Sequence, residues 1–86
     1  MFTLIYAKEF LKQLKKLDKK VQRRVISTLE RIRFRPQHYV KKIVGCPYFR
    51  LRVGDYKVIM DIVENKMIIY VLDVNHRRRI YKRFRF

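Results

Sequence analysis

Three cations, Arg50, Arg52 and Lys57, flank the dipeptide Gly54-Asp55. That dipeptide has the composition of a two-residue β-hairpin loop, with glycine supplying the positive φ. Such a loop sets Val53 opposite Tyr56, Arg52 opposite Lys57, Leu51 opposite Val58 and Arg50 opposite Ile59. Paired residues share a face of a sheet, and faces alternate along each strand. Phe49, Leu51, Val53, Tyr56, Val58, Met60 and Ile62 are therefore expected on an apolar side, and Arg50, Arg52 and Lys57 together on the other. Like charges directly across a strand pair are unfavourable. Stability alone gives no reason for the arrangement, whereas an anion bound between them does. The plainer alternative is a set of solvated charges on a chain with 23 basic residues.

The last strand adds Asp73, Asn75, His76 and Arg77. A three-residue turn at Glu64-Asn65-Lys66 would set Met60 opposite Tyr70 and Val58 opposite Leu72. Asp73, Asn75 and Arg77 would then join the face of Arg52 and Lys57. Tyr81 follows within reach if the tail turns back. Cations beside a tyrosine suit single-stranded RNA, because Arg and Lys hold phosphates and an aromatic ring stacks a splayed base. Ile59, Val63, Ile69 and Val71 are expected on the same face, as a stripe needing cover from the C-terminal tail or a partner. Asp61 and Asp73 read as internal partners of the basic face.

The elements that must position these groups can be read from periodicity. Residues 2–6 are β-branched or aromatic and read as a strand. Phe10, Leu11, Leu14 and Leu17 recur at helical spacing among Lys8, Lys12, Lys15 and Lys16, giving an amphipathic helix. Asp18 can cap a second helix, whose apolar side is Val21, Val25, Ile26, Leu29 and Ile32, and Pro36 closes it. Residues 35–47 read as a loop, and 48–53, 56–63 and 67–75 as strands. The tail, residues 77–85, is expected as a short helix or an irregular segment. Consecutive strands with short turns pair antiparallel. The fold class is therefore α+β: an N-terminal strand and a helical hairpin packed on one face of a mainly antiparallel four-stranded sheet, the first strand beside the last.

Composition narrows the partners. The chain has 86 residues, the size of one domain. Its 23 basic and 7 acidic residues give a net charge of +16, which repels itself and calls for a polyanion or an acidic partner. No apolar run is long enough to cross a membrane, and no signal peptide is expected at the N-terminus. Cys46 is the single cysteine, so no internal disulfide forms, and no His/Cys set has metal-ligand spacing. A cytoplasmic protein without cofactor or metal is expected.

The run Tyr48-Phe-Arg-Leu-Arg-Val-Gly-Asp-Tyr-Lys, followed by Val74-Asn-His-Arg and then Tyr81, resembles the RelE branch of the RelE/ParE toxin superfamily. The opening strand and basic hairpin match too, so the likeness covers nearly the whole chain. The resemblance implies a toxin of a type II toxin–antitoxin system that cleaves mRNA in the ribosomal A site. The 2′-hydroxyl attacks the adjacent phosphate, leaving a cyclic phosphate and a 5′-hydroxyl. By position the family's catalytic set falls on Arg50, Arg52, Lys57, Arg77 and Tyr81. Lys12, Lys15, Lys16, Lys19, Lys20, Arg78 and Lys82 would grip ribosomal RNA. A RelB-type antitoxin, acidic and extended, would wrap the chain.

The charges of the family's set survive but the types are exchanged, its lysine pair falling on Arg50 and Arg52 and its third-strand arginine on Lys57, and one role is affected. Arg52 stands where relatives carry a lysine thought to act as general base, and guanidinium stays protonated at ordinary pH. Arg52 could then only neutralise the phosphorane. Lys57, beside other cations, or His76, of a type that titrates near neutrality, would move the proton. Two other functions stay open: a ParE-like toxin acting on DNA gyrase, and a basic RNA-binding module without catalysis. His38 reads as a loop residue without a task.

Overall fold

Burial of two apolar helix stripes against one sheet face organises the chain. A computed structural model describes residues 1–76, as β1 (Thr3–Tyr6), α1 (Lys8–Lys15), α2 (Lys19–Ile32), β2 (Lys41–Lys42), β3 (Phe49–Val53), β4 (Tyr56–Val63) and β5 (Ile68–His76). Phe10 and Leu14 are one helical turn apart on α1 and both are buried. Val25, Leu29 and Ile32 form the buried stripe of α2. Asp18 caps α2 as expected, its Oδ1 accepting from the Lys20 amide at 3.1 Å. The helix ends at Ile32, and Pro36 is buried at the head of a short 3-10 turn, Pro36–His38.

The sheet order is β1-β5-β4-β3-β2. β1 runs parallel to β5, and every other neighbouring pair is antiparallel. The first strand therefore lies beside the last, as expected. It ends where the Ala7 amide bonds the Val71 carbonyl. Beyond that point β5 would have a bare edge, and α1 covers it: Gln13 Oε1 accepts from the Val74 amide at 2.9 Å. A buried backbone donor left unpaired would be costly.

The β3–β4 register agrees with the sequence reading at every expected pair, from Arg50–Ile59 to Val53–Tyr56. Gly54 has φ +59°, and Asp55 does not join it in the positive region, the pattern of a type II′ turn. Leu51, Val53, Val58, Met60 and Ile62 are buried against the helices, with Phe49 and Tyr56 packed beside them.

The β4–β5 register differs. Val63 pairs with Ile68, so the turn holds four residues, Glu64 to Met67. The extra residue moves Ile69 and Val71 from the expected outer face into the core against the helices. A β-bulge then sets Leu72 and Asp73 together against Ile59 and reverses the parity again. Asp73 and Asn75 consequently reach the face of Arg52 and Lys57, as expected, by a different register.

The expected loop also contributes. Lys41–Lys42 pairs with Phe49 and Arg50 as a fifth strand. The segment after it folds across the outer face. Ile43 is buried on Ile59, with Cys46, Tyr48 and Leu72 around them. Part of the outer apolar stripe is thus covered by the chain's own β2–β3 loop.

Tyr6 stacks on Phe10, with ring centroids 5.3 Å apart, and its hydroxyl is buried with no hydrogen-bond partner among the described residues. Burial, and then the nearby Glu30 carboxylate, push the phenol above its usual value near 10, against a smaller opposing pull from Arg33. Tyr6→Phe removes a desolvated polar group and should leave stability unchanged or raise it by about 1 kcal/mol. The folded phenol ionises later than the unfolded one, so wild-type stability should fall as pH rises past the unfolded value, near 10. Denaturant titrations of both proteins at neutral and alkaline pH test this: the Tyr6→Phe gain should widen at high pH, and a constant or shrinking difference would refute the assignment.

Candidate functional site

Strand pairing builds the site. Arg52 lies opposite Lys57, and Lys57 opposite Asn75. One row further from the hairpin tip, Lys41, Arg50, Ile59 and Asp73 succeed one another across four strands. All these side chains emerge on the face away from the helices. Within it Lys57 is only 8% exposed and Asp73 is fully buried, whereas Arg52 is open to solvent. Diagonal neighbours of this kind lie about 7–8 Å apart between adjacent strands. The Asp73 carboxylate is therefore placed to temper the cations around it.

The hairpin tip concentrates charge further. Arg52 Nε donates to the Gly54 carbonyl at 3.3 Å. From α2, the Arg24 guanidinium reaches the same turn: a Cβ at Gly54 would stand 3.0 Å from Arg24 Nη1. Glycine is thus required at this position by its φ of +59°, and its missing side chain leaves room for the arginine. Arg52, Lys57, Tyr56, His76 and the turn enclose a cleft of about 70 Å³, a volume of roughly two waters. The His76 ring meets the Tyr56 ring edge-on, with centroids 5.7 Å apart. This cleft unites a lysine, an arginine and a histidine, a set able to hold a phosphate and exchange protons with it.

Not every residue singled out in the sequence joins them. Lys12, Lys15, Lys16, Lys19 and Lys20 are exposed on the helical hairpin, on the opposite side of the sheet. Arg77, Arg78, Tyr81 and Lys82 lie outside the described residues. Arg24 and Lys41 escaped the sequence reading. Arg24 sits on the polar side of an amphipathic helix, where nothing in the periodicity separates it from its neighbours. Lys41 lies in a strand too short for period-two patterning. Among the described residues there is no cluster of His, Cys, Asp or Glu that could hold a metal ion. No helix among them is long and apolar enough to cross a membrane.

Residues 4–81 match the family described as the ParE toxin of the type II toxin–antitoxin system parDE. The chain belongs to the RelE/ParE family of toxins. Its fold is that of RelE. A chain of the archaeal RelE–RelB complex from Pyrococcus horikoshii superposes with a TM-score of 0.77 at 26% identity, over 91% of this chain and 97% of that one. A chain of the RelB–RelE antitoxin–toxin complex from Methanococcus jannaschii gives 0.71 at 29%, over 93% and 98%. The isolated E. coli RelE toxin gives 0.75 at 19%, over 98% and 95%. No curated protein sequence matches the chain.

RelE/ParE toxins share this scaffold, so the charges on the outer face bear on what this member does. If Arg52 and Lys57 are set to hold an anion, the pair should cost stability without one. In phosphate-free, low-salt buffer Arg52→Ala should leave stability unchanged or raise it by up to about 1 kcal/mol. Added inorganic phosphate should raise Tm more for the wild type than for Arg52→Ala. Equal phosphate shifts in the two proteins would mean that the pair binds no anion.

Proposed function

We propose that this toxin is a ribosome-dependent mRNA endonuclease that acts without a metal ion, in the ribosomal A site of the cytoplasm. The observation that carries the reading is the Arg52–Lys57 cross-strand pair with Arg50 on the same face and His76 in the adjoining cleft. Arg50 and Arg52 neutralise the phosphorane formed when the 2′-oxygen attacks the adjacent phosphorus. Lys57 takes the 2′-hydroxyl proton, because neither arginine can release one of its own. The bond to the 5′-oxygen breaks, and that oxygen takes a proton from His76. A 2′,3′-cyclic phosphate and a 5′-hydroxyl result. Arg77 and Tyr81 complete the set by steadying the phosphate and stacking the base. Lys12, Lys15, Lys16, Lys19, Lys20, Arg78 and Lys82 anchor the toxin to ribosomal RNA. A RelB-type antitoxin, acidic and extended, neutralises the +16 charge. The RelB–RelE complexes among the structural relatives support that partner.

A second reading is favoured by one observation: the matching family is described by its ParE toxin. In that reading the chain acts on DNA gyrase and cuts no RNA.

Primer extension on an mRNA, with purified protein and with or without ribosomes, separates the two. Discrete cuts within A-site codons, only when ribosomes are present, are expected. No cuts in either tube, together with inhibition of gyrase supercoiling, would establish the second reading instead. The role of Lys57 is tested by the pH–rate profile of Lys57→Arg. A fall of about 10²-fold or more with a changed profile is expected, and an unaltered rate and profile would remove Lys57 from proton transfer.

A further inference from the structure

Among the described residues, the most exposed aromatic rings lie away from the cleft at the β3–β4 turn. Phe34 is 64% exposed and Tyr39 50% exposed, both in the segment that leaves α2. The helical turn continues past Ile32, where the Arg35 amide bonds the Ile32 carbonyl. Arg31 and Phe34 are therefore neighbours at i and i+3. The Arg31 guanidinium also lies over the Tyr39 ring, 5.9 Å from its centroid. Arg35, His38 and Lys42, close to them in sequence, are exposed as well. Arg31, Arg35 and Lys42 form no ion pair among the described residues, while the local acids are engaged: Glu30 by Arg33 at 2.9 Å and Glu64 by Gln37 at 2.7 Å.

Burial gives no reason for these rings. Pro36 and Val40, in the same segment, turn inward, while Phe34 and Tyr39 turn out. Unpaired positive charge around them disfavours a cationic or purely apolar partner and suits a polyanion that also offers flat faces. Single-stranded nucleic acid has both. The location matters too. Arg24, at the catalytic hairpin, and Ile32, where the patch begins, are eight residues apart on one helix, about 12 Å along its axis. The patch is thus a separate contact and not a wall of the cleft.

We propose that Phe34 and Tyr39 form a second RNA-binding surface that stacks unpaired bases, with Arg31 and Arg35 holding the flanking phosphates. The inference rests on the RNA-directed reading but requires no cleavage. It gives the toxin a base-stacking grip on exposed loops of structured RNA, beyond the non-specific pull of its net charge. Double-helical RNA keeps its bases stacked on one another and offers this surface phosphates only.

The test compares binding of the full chain to an unstructured single-stranded RNA oligonucleotide and to a double-stranded RNA of equal length. Elevated salt is used because phosphate contacts fade there while stacking persists. Phe34→Ala/Tyr39→Ala should weaken single-strand binding by at least about fivefold and leave double-strand binding unchanged. Tyr39→Phe should bind like the wild type, since the ring remains. Circular dichroism checks that the fold survives, which exposed positions should allow. Equal single-strand affinity for the double variant and the wild type would overturn the proposal. If that variant also lost affinity for an acidic antitoxin peptide, the surface would belong to a protein partner. Absence of ribosome-dependent cleavage by the wild type, with its single-strand binding intact, would instead count against the catalytic reading, so the two failures are distinguishable.

Discussion

The hydrogen-bond ladder between β3 and β4 holds Arg52 opposite Lys57, and the rest of the site is arranged around that pairing. A two-residue loop permits one register, and a slip by one residue would turn Leu51, Val53, Val58 and Met60 out to water. Burying one such side chain contributes about 1.5–3 kcal/mol. Cross-strand charge repulsion amounts to roughly 1 kcal/mol or less. The core therefore wins, and the cations stay together whether or not an anion is bound. The arrangement of the cations is held in this way by packing on the far side of the sheet and not by contacts within the site.

The sheet also divides the work. One face is sealed by α1 and α2. On the other, the β2–β3 loop lays Ile43 over Ile59 and leaves the cationic rows beyond it. That apolar plug excludes water from one flank of the basic face, which strengthens the field of the charges next to it. The helices then do more than cover the core. Arg24 reaches over the hairpin tip and Gln13 closes the edge of β5, so side chains from the helical layer touch both the β3–β4 turn and the neighbouring stretch of β5. The charge of the helical hairpin itself points elsewhere, to the opposite side of the sheet.

How much of this could be read in advance follows from local chemistry. The β3–β4 hairpin was legible because Gly54 marks its turn and the alternation on either side has one solution. The two helices were legible from Phe10, Leu14, Val25, Leu29 and Ile32 at helical spacing and from the Asp18 cap. The β4–β5 register was not. Its turn contains no glycine, and Met67 takes the left-handed conformation, φ +52°, that Gly or Asn would ordinarily signal. The bulge at Leu72 has no sequence signature either. These two shifts offset each other beyond the bulge, so Asp73 and Asn75 reached the expected face although their partners differed, while Ile69 and Val71 reached the other one. Arg24 was unreadable for another reason: its proximity to Gly54 joins residues thirty apart and depends on how α2 crosses the sheet.

Strand pairing brings Arg50, Arg52 and Lys57 together on one face, where we propose that they carry out RNA cleavage. Single-turnover cleavage of a programmed ribosome by the wild type and by Arg50→Ala/Arg52→Ala/Lys57→Ala tests it most directly, with the fold and ribosome affinity of the variant checked in parallel. A folded, ribosome-bound variant whose cleavage rate is lower by at least about 10²–10³-fold is expected. Cleavage by that variant within a few-fold of the wild type would contradict it and place the chemistry elsewhere on the chain.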